Sequence, residues 1–131
     1  MHNLVDNLIS IKKEIQAINP KSQLIVVTKT FGIQRIEPLI KFGHRHFGEN
    51  KVQETVEKWS DIKNKVKDIQ LHLIGKLQTN KVKYVVPLFD YIHSLDNIKL
   101  AEKIASEQIK KNRNLKIFIQ VNIGNESQKS G

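Results

Sequence analysis

The chain has 131 residues, 22 Lys plus Arg against 13 Asp plus Glu, a net charge of +9, 39% hydrophobic residues and no cysteine. That length accommodates one domain-sized core, and the missing cysteines exclude a disulfide framework, a thiolate nucleophile and any thiolate-ligated zinc or iron–sulfur centre. The basic excess is 19 Lys and only Arg35, Arg45 and Arg113, interleaved with acids as on solvated helix faces, which argues against a specific nucleic-acid partner.

In chain order, Met1 to Asp6 lack the charged start, apolar stretch and cleavage site of a secretory leader, and no apolar run approaches membrane-spanning length. A cytoplasmic protein without a membrane partner is expected. Leu4, Leu8, Ile11, Ile15 and Ile18 recur at helical spacing up to the stop at Asn19-Pro20. Leu24 to Val27 is a short β-rich apolar run that leads into Thr28 and Lys29. A helix with Pro38 in its first turn follows, ended by Gly43, and Arg45 to Gly48 is the second strand. Val52, Val56, Trp59, Ile62 and Val66 space out a longer helix, and Ile69 to Ile74 is the third strand. A short helix through Val82, Val85 and Val86 ends at Pro87. Phe89 to Leu95 is the fourth strand, with Asp96 placed to cap the helix that carries Ala101, Ile104, Ala105 and Ile109. Leu115 to Ile123 is the fifth strand, with Lys116, Gln120 and Asn122 on one face, and Gly124 to Gly131 is loop.

Such regular alternation of strand and helix, at about 24 residues per unit, predicts an α/β fold with a parallel sheet. Two architectures fit that pattern. A five-stranded doubly wound sheet is complete at this length, whereas a closed eight-unit barrel needs roughly 200 residues or more.

Active sites in both architectures gather at the C-terminal ends of the strands. Lys29 stands at such an end and shares a face with Ile25 and Val27. With its stem among buried groups it would lose hydration, which favours the neutral amine that condenses with an aldehyde. The plainer reading is a lysine that extends its ammonium into solvent. Glu49, Asn50, His72, His93, Ser94, Gln120 and Asn122 also fall near strand ends and would ring one polar mouth. Singly, Asn50 and Ser94 can cap helices, and His72 and His93 can be satisfied, half-buried histidines. Gly75-Lys76-Leu77-Gln78 lacks the flanking glycines of a phosphate-binding loop, and neither a carboxylate pair nor metal-ligand spacing is present.

Several segments together carry a resemblance. Val26-Val27-Thr28-Lys29-Thr30, Phe47-Gly48-Glu49-Asn50 with Val52-Gln53-Glu54, and His72 with Ile74-Gly75, Leu77-Gln78 and Asn80-Lys81 are three of them. His93-Ser94-Leu95-Asp96 and Gln120-Val121-Asn122-Ile123, followed by Glu126, Lys129 and Gly131, complete the set. In order and spacing these resemble the pyridoxal phosphate homeostasis proteins, which are similar to the N-terminal barrel domain of alanine racemase. The resemblance implies a parallel (βα) barrel of TIM type with about five of its eight units present, so that residues 1–131 form an incomplete barrel domain. It implies that Lys29 holds pyridoxal 5′-phosphate as a Schiff base, that Asn50 lies beside the cofactor ring, and that Ser94 and Asn122 belong to the surrounding mouth.

It further implies intracellular cofactor homeostasis rather than turnover, because racemisation needs acid and base groups on opposite faces of the α-carbon and alanine racemase draws the second from another domain. The family's barrel continues for three further units beyond the point matched by Gly131. Phosphate is commonly gripped after the seventh and eighth strands, so weakened cofactor binding and self-association through an open barrel wall are expected. The alternatives are a complete doubly wound module that binds an anionic small molecule or protein, with Lys29 as a point charge, and a remnant without function.

Overall fold

In the computed structural model, residues 3–131 are described; Met1 and His2, the start of the segment read for a leader, lie outside the described residues. Helix α1 (Leu4–Ile18) opens the chain, its N-terminus capped by Asn3, whose Oδ1 accepts from the Asp6 N–H at 2.7 Å. It is followed by β1 (Val26–Val27), α2 (Ile33–Phe42), β2 (His46–Glu49), α3 (Val52–Lys65) and β3 (Gln70–Leu73). A 3₁₀ turn at Thr79–Lys81 leads into the single-turn α4 (Val82–Val85), then β4 (Tyr91–Leu95), α5 (Ile98–Lys111) and β5 (Lys116–Ile119). No described helix is long and apolar enough to cross a membrane.

The five strands are parallel and lie in the order β1-β2-β3-β4-β5. A doubly wound sheet reverses direction after its first strands to gain helices on both faces. Here each strand is added on the same side, and right-handed crossovers then put every helix that links two strands on one face. Packing agrees: the buried residues of α2, α3 and α5, among them Leu39, Trp59 and Ile104, join the sheet residues Phe47, Leu71, Leu73 and Ile92 in a single hydrophobic cluster. The doubly wound alternative is therefore overturned. This is a curved wall of a singly wound barrel.

Local chemistry explains most boundaries. Gly43 ends α2 in the left-handed region (φ 111°), its N–H bonded to the Ile40 carbonyl and that of His44 to Leu39. Pro38 was expected in the first turn of α2, yet the helix begins at Ile33, so the proline lies in the second turn. At the start of α5 the cap is Asn97, not Asp96: its Oδ1 accepts from the Leu100 N–H at 2.8 Å, while its amide donates to Asp96. Between β4 and β5 the register slips, from Ile92 opposite Ile117 to Leu95 opposite Ile119, a bulge that tightens the local twist.

Candidate functional site

Alternation along the strands separates two faces. On β2, Phe47 turns to the helices, its ring 5.0 Å from that of Trp59 on α3. Gly48 turns the other way, to what is the inside of a barrel wall. Its Cα marks a tight place: a Cβ there would stand 3.2 Å from Ile25 Cγ2 and 3.6 Å from Ile74 Cδ1.

Val27 pairs with Gly48, and Lys29, two residues past the strand, lies in the turn closed by the Phe31 N–H on the Thr28 carbonyl at 3.2 Å. Lys29 is exposed. The burial expected for its stem is not found, because β1 is an edge strand and its neighbour Val27 is itself 45% exposed. Neither the Lys29 ammonium nor the Asn50 amide has a side-chain hydrogen-bond partner among the described residues. Asn50 is instead fixed by shape. A Cβ on Gly75 would fall 2.2 Å from Asn50 Oδ1 and 2.5 Å from its carbonyl oxygen, so only glycine lets the β3 exit pass this close. A cavity of about 270 Å³ opens beside Asn50, with Lys51, Lys76 and Lys81 on its walls.

The backbone on either side of Lys29 is held by groups that sequence reasoning missed. Thr28 is buried; its N–H donates to the Gly48 carbonyl at 2.9 Å and its hydroxyl to Glu49 Oε2 at 2.5 Å. That same carboxylate oxygen accepts from the Trp59 indole N–H at 2.8 Å and pairs with the Lys58 ammonium at 2.8 Å, while Lys58 also donates to the Thr28 carbonyl. Glu49 thus belongs to the helix-side face and not to the polar mouth where its position near a strand end suggested it. Its other oxygen, Oε1, is buried without a partner among the described residues. Beyond Lys29, Thr30 sits in the left-handed region (φ 68°) and donates its N–H to Glu54 Oε1 at 2.9 Å.

Three histidines cross the inner face on neighbouring strands. His46 Nδ1 lies 2.9 Å from His72 Nε2, and His72 Nδ1 lies 2.9 Å from His93 Nε2. His72 also stacks on Tyr91 at 4.0 Å and His93 on Phe118 at 4.7 Å. Each N···N bond takes one proton between two nitrogens, so the ladder is satisfied when its members are neutral. Burial pushes all three below the ordinary histidine value; His72, also facing the other two, falls to about 4. The satisfied-histidine reading of His72 and His93 describes them correctly, and neither stands free to bind a ligand.

Ser94 and Asn122 stand apart from Lys29. The burial alternation of β4 groups Ser94 with Ile92 on the covered side, and its buried hydroxyl lacks a partner among the described residues. Asn122 organises the segment after β5: its Nδ2 donates to the Glu126 carbonyl at 2.7 Å and its Oδ1 accepts from the Glu126 N–H at 3.1 Å. Gln120 likewise donates to the Ser130 carbonyl at 3.0 Å. Of the proposed set, Lys29 and Asn50 follow the ends of the neighbouring strands β1 and β2, whereas Ser94 belongs to β4 and Asn122 to the segment after β5.

Known proteins bear on this geometry. The chain is 36% identical to the pyridoxal phosphate homeostasis protein of Buchnera aphidicola, matching all of this chain and 60% of that one. It is 33% identical to the protein of the same name from Escherichia coli K12, again over all of this chain and 59% of the relative. Among solved structures, PipY of Synechococcus elongatus with pyridoxal phosphate bound superposes with a TM-score of 0.74 at 35% identity, over 86% of this chain and 55% of that one. A protein from Bifidobacterium adolescentis superposes with a TM-score of 0.82 at 30% identity, over 97% of this chain and 56% of that one. The chain therefore spans a little over half the length of the relatives it matches. The family model for the alanine racemase N-terminal domain matches residues 1–131, and the chain belongs to that family, with the singly wound parallel sheet of a partial TIM-type barrel.

Proposed function

We propose that Lys29 is the residue through which this chain holds pyridoxal 5′-phosphate, and that residues 1–131 form the N-terminal part of a cofactor-holding barrel in the cytoplasm. The observation that carries the reading is the exposed Lys29 amine just past the C-terminal end of β1, without a side-chain partner among the described residues, in a chain that matches the alanine racemase N-terminal domain over residues 1–131. The donor set fits the group. An accessible primary amine is what an aldehyde cofactor requires: Nζ adds to the aldehyde carbon and the aldehyde oxygen leaves as water. Asn50, wedged against Gly75, would offer a fixed amide to the group. Bound in this way, the cofactor supplies an electron sink.

What the chain's own residues do is hold and shield rather than turn over. Racemisation needs acid and base groups on opposite faces of a carbon. The titratable groups close in register are already engaged, Glu49 with Lys58 and Trp59, and His72 with its two neighbours. The role that follows is intracellular cofactor homeostasis; Ser94, buried on the covered side, and Asn122, engaged with Glu126, lie outside the site we propose. A spectrophotometric titration with pyridoxal phosphate tests this reading. The visible band of a lysine-bound cofactor appears with the wild-type chain and is lost in Lys29→Ala; a band of equal strength in Lys29→Ala overturns it.

A further inference from the structure

We propose that Glu49, Trp59, Lys58 and Thr28 form a positioning clamp for the strand end that presents Lys29. The proposal rests on Lys29 as the reactive amine, but its geometry stands by itself. A lysine at the end of a two-residue edge strand has little sheet to fix it: β1 pairs only with β2, through Val26 and Val27. Such strand ends fray. Here the residue before Lys29 has every polar group committed, its N–H to Gly48, its carbonyl to Lys58 and its hydroxyl to Glu49. The residue after it, Thr30, is a β-branched side chain in the left-handed region, a conformation kept only where the surroundings over-determine it. What holds it is Glu54, one turn before Lys58 on the same helix.

Helix α3 thus splints both sides of Lys29 through charged side chains. The charge placement is particular. Glu49 Oε2 gathers three donors while Oε1, equally buried, receives none. A carboxylate serving only to satisfy itself in the core would spread its donors over both oxygens. All three instead converge on the oxygen that faces Thr28, so the buried ion pair acts on the backbone beside Lys29. Ionic hydrogen bonds of this kind fix geometry more firmly than neutral ones.

The test follows the share of borohydride-trapped pyridoxal phosphate that lands on Lys29, among all lysines, at equal folded fraction. Thr28→Val removes the hydroxyl and keeps the shape; Glu49→Gln removes the charge; Thr28→Ser restores the hydroxyl. Leu100→Ala, in the core on α5, is the control for general destabilisation. The clamp predicts that the Lys29 share falls about tenfold in Thr28→Val and Glu49→Gln, the factor a lost charge-assisted hydrogen bond produces, and stays near wild type in Thr28→Ser and Leu100→Ala. A share unchanged in the first two, or lowered as much by Leu100→Ala, overturns it. Amide exchange at Thr28 and Thr30 gives a readout that needs no cofactor. The clamp predicts exchange about tenfold faster in Thr28→Val and Glu49→Gln but not in Leu100→Ala, and equal rates in these three variants and the wild type overturn it. Wild-type label spread evenly over the lysines would remove Lys29 as the anchor while exchange still decides the clamp. If Glu49→Gln does not fold, Trp59→Phe, which removes one donor from the same oxygen, takes its place.

Discussion

On its covered face the sheet gives Phe47, Leu71, Leu73 and Ile92 to the helices, all with no exposed surface. The same strands give the other face His46, His72 and His93, a hydrogen-bonded file of imidazoles, with Phe118 beside them 53% exposed. One set of strands therefore serves two solvents. The covered face is a finished core and carries the stability; the inner face is polar, aromatic and partly open, and carries the candidate chemistry. Lys29 follows the end of β1, and the backbone beside it is held by Glu49 and Lys58 of the covered face.

Breaking the covered face should cost most. Trp59→Ala removes a fully buried ring packed on Phe47 and one donor to Glu49, and about 3–5 kcal/mol of unfolding free energy should be lost. Urea titration at neutral pH measures it, and a loss below about 1 kcal/mol would contradict a single core centred there.

The inner face should respond to acid. His72 has a folded value of about 4 against an ordinary 6.5, and His46 and His93 are also lowered, by burial first. The unfolded chain then binds protons that the folded chain refuses, so stability rises with pH across that interval. It is present in full above about 6.5 and is lost as the pH falls toward 4, by about 3 kcal/mol for His72. Lys116 and Lys12 work in the same direction on His46, and Asp90 opposes them. Urea midpoints at pH 7.5 and 4.5 test the sign. His72→Phe should flatten the difference, and a slope unaltered by that substitution would remove the ladder as its cause.

Gly75→Ala lies where the faces meet the mouth. Its Cβ would collide with the Asn50 carbonyl oxygen at 2.5 Å, so the backbone must shift, at about 1–3 kcal/mol. Thermal unfolding reads the loss, and the Asn50 amide resonance should move with it. The smallest effect is expected at the open edge. Ile119→Lys replaces an exposed apolar residue on β5 and should change stability by less than about 0.5 kcal/mol, while lowering self-association in sedimentation velocity. A large loss of stability would mean that this edge is already covered.

Legibility in the sequence followed the range of the interaction. All five strands were found in order, because apolar runs and their stops are local, and the stop at Gly43 obeys a local rule; the fifth, expected to run to Ile123, ends at Ile119, where the chain turns to the Asn122 and Glu126 hydrogen bonds. The choice between barrel and doubly wound sheet was not local; it needed the strand order. Glu49 was assigned to the mouth although parity with the apolar Phe47 two residues earlier already put it on the helix side, a signal available from the sequence. The ladder His46-His72-His93 was invisible, since it exists only once the register brings three strands together. Lys29 was expected among buried groups because its strand reads as apolar, but β1 is an edge, and edges expose alternate residues whatever their chemistry. Trp59 was read only as core, because nothing in helical periodicity says which oxygen an indole N–H will find.

The central claim is that one amine among 19 lysines is singled out by where β1 ends. Peptide mapping after reduction of the chain with substoichiometric pyridoxal phosphate tests it most directly. The account predicts a dominant adduct at Lys29 that vanishes in Lys29→Ala without reappearing elsewhere. Label distributed over the lysines according to their exposure would contradict it.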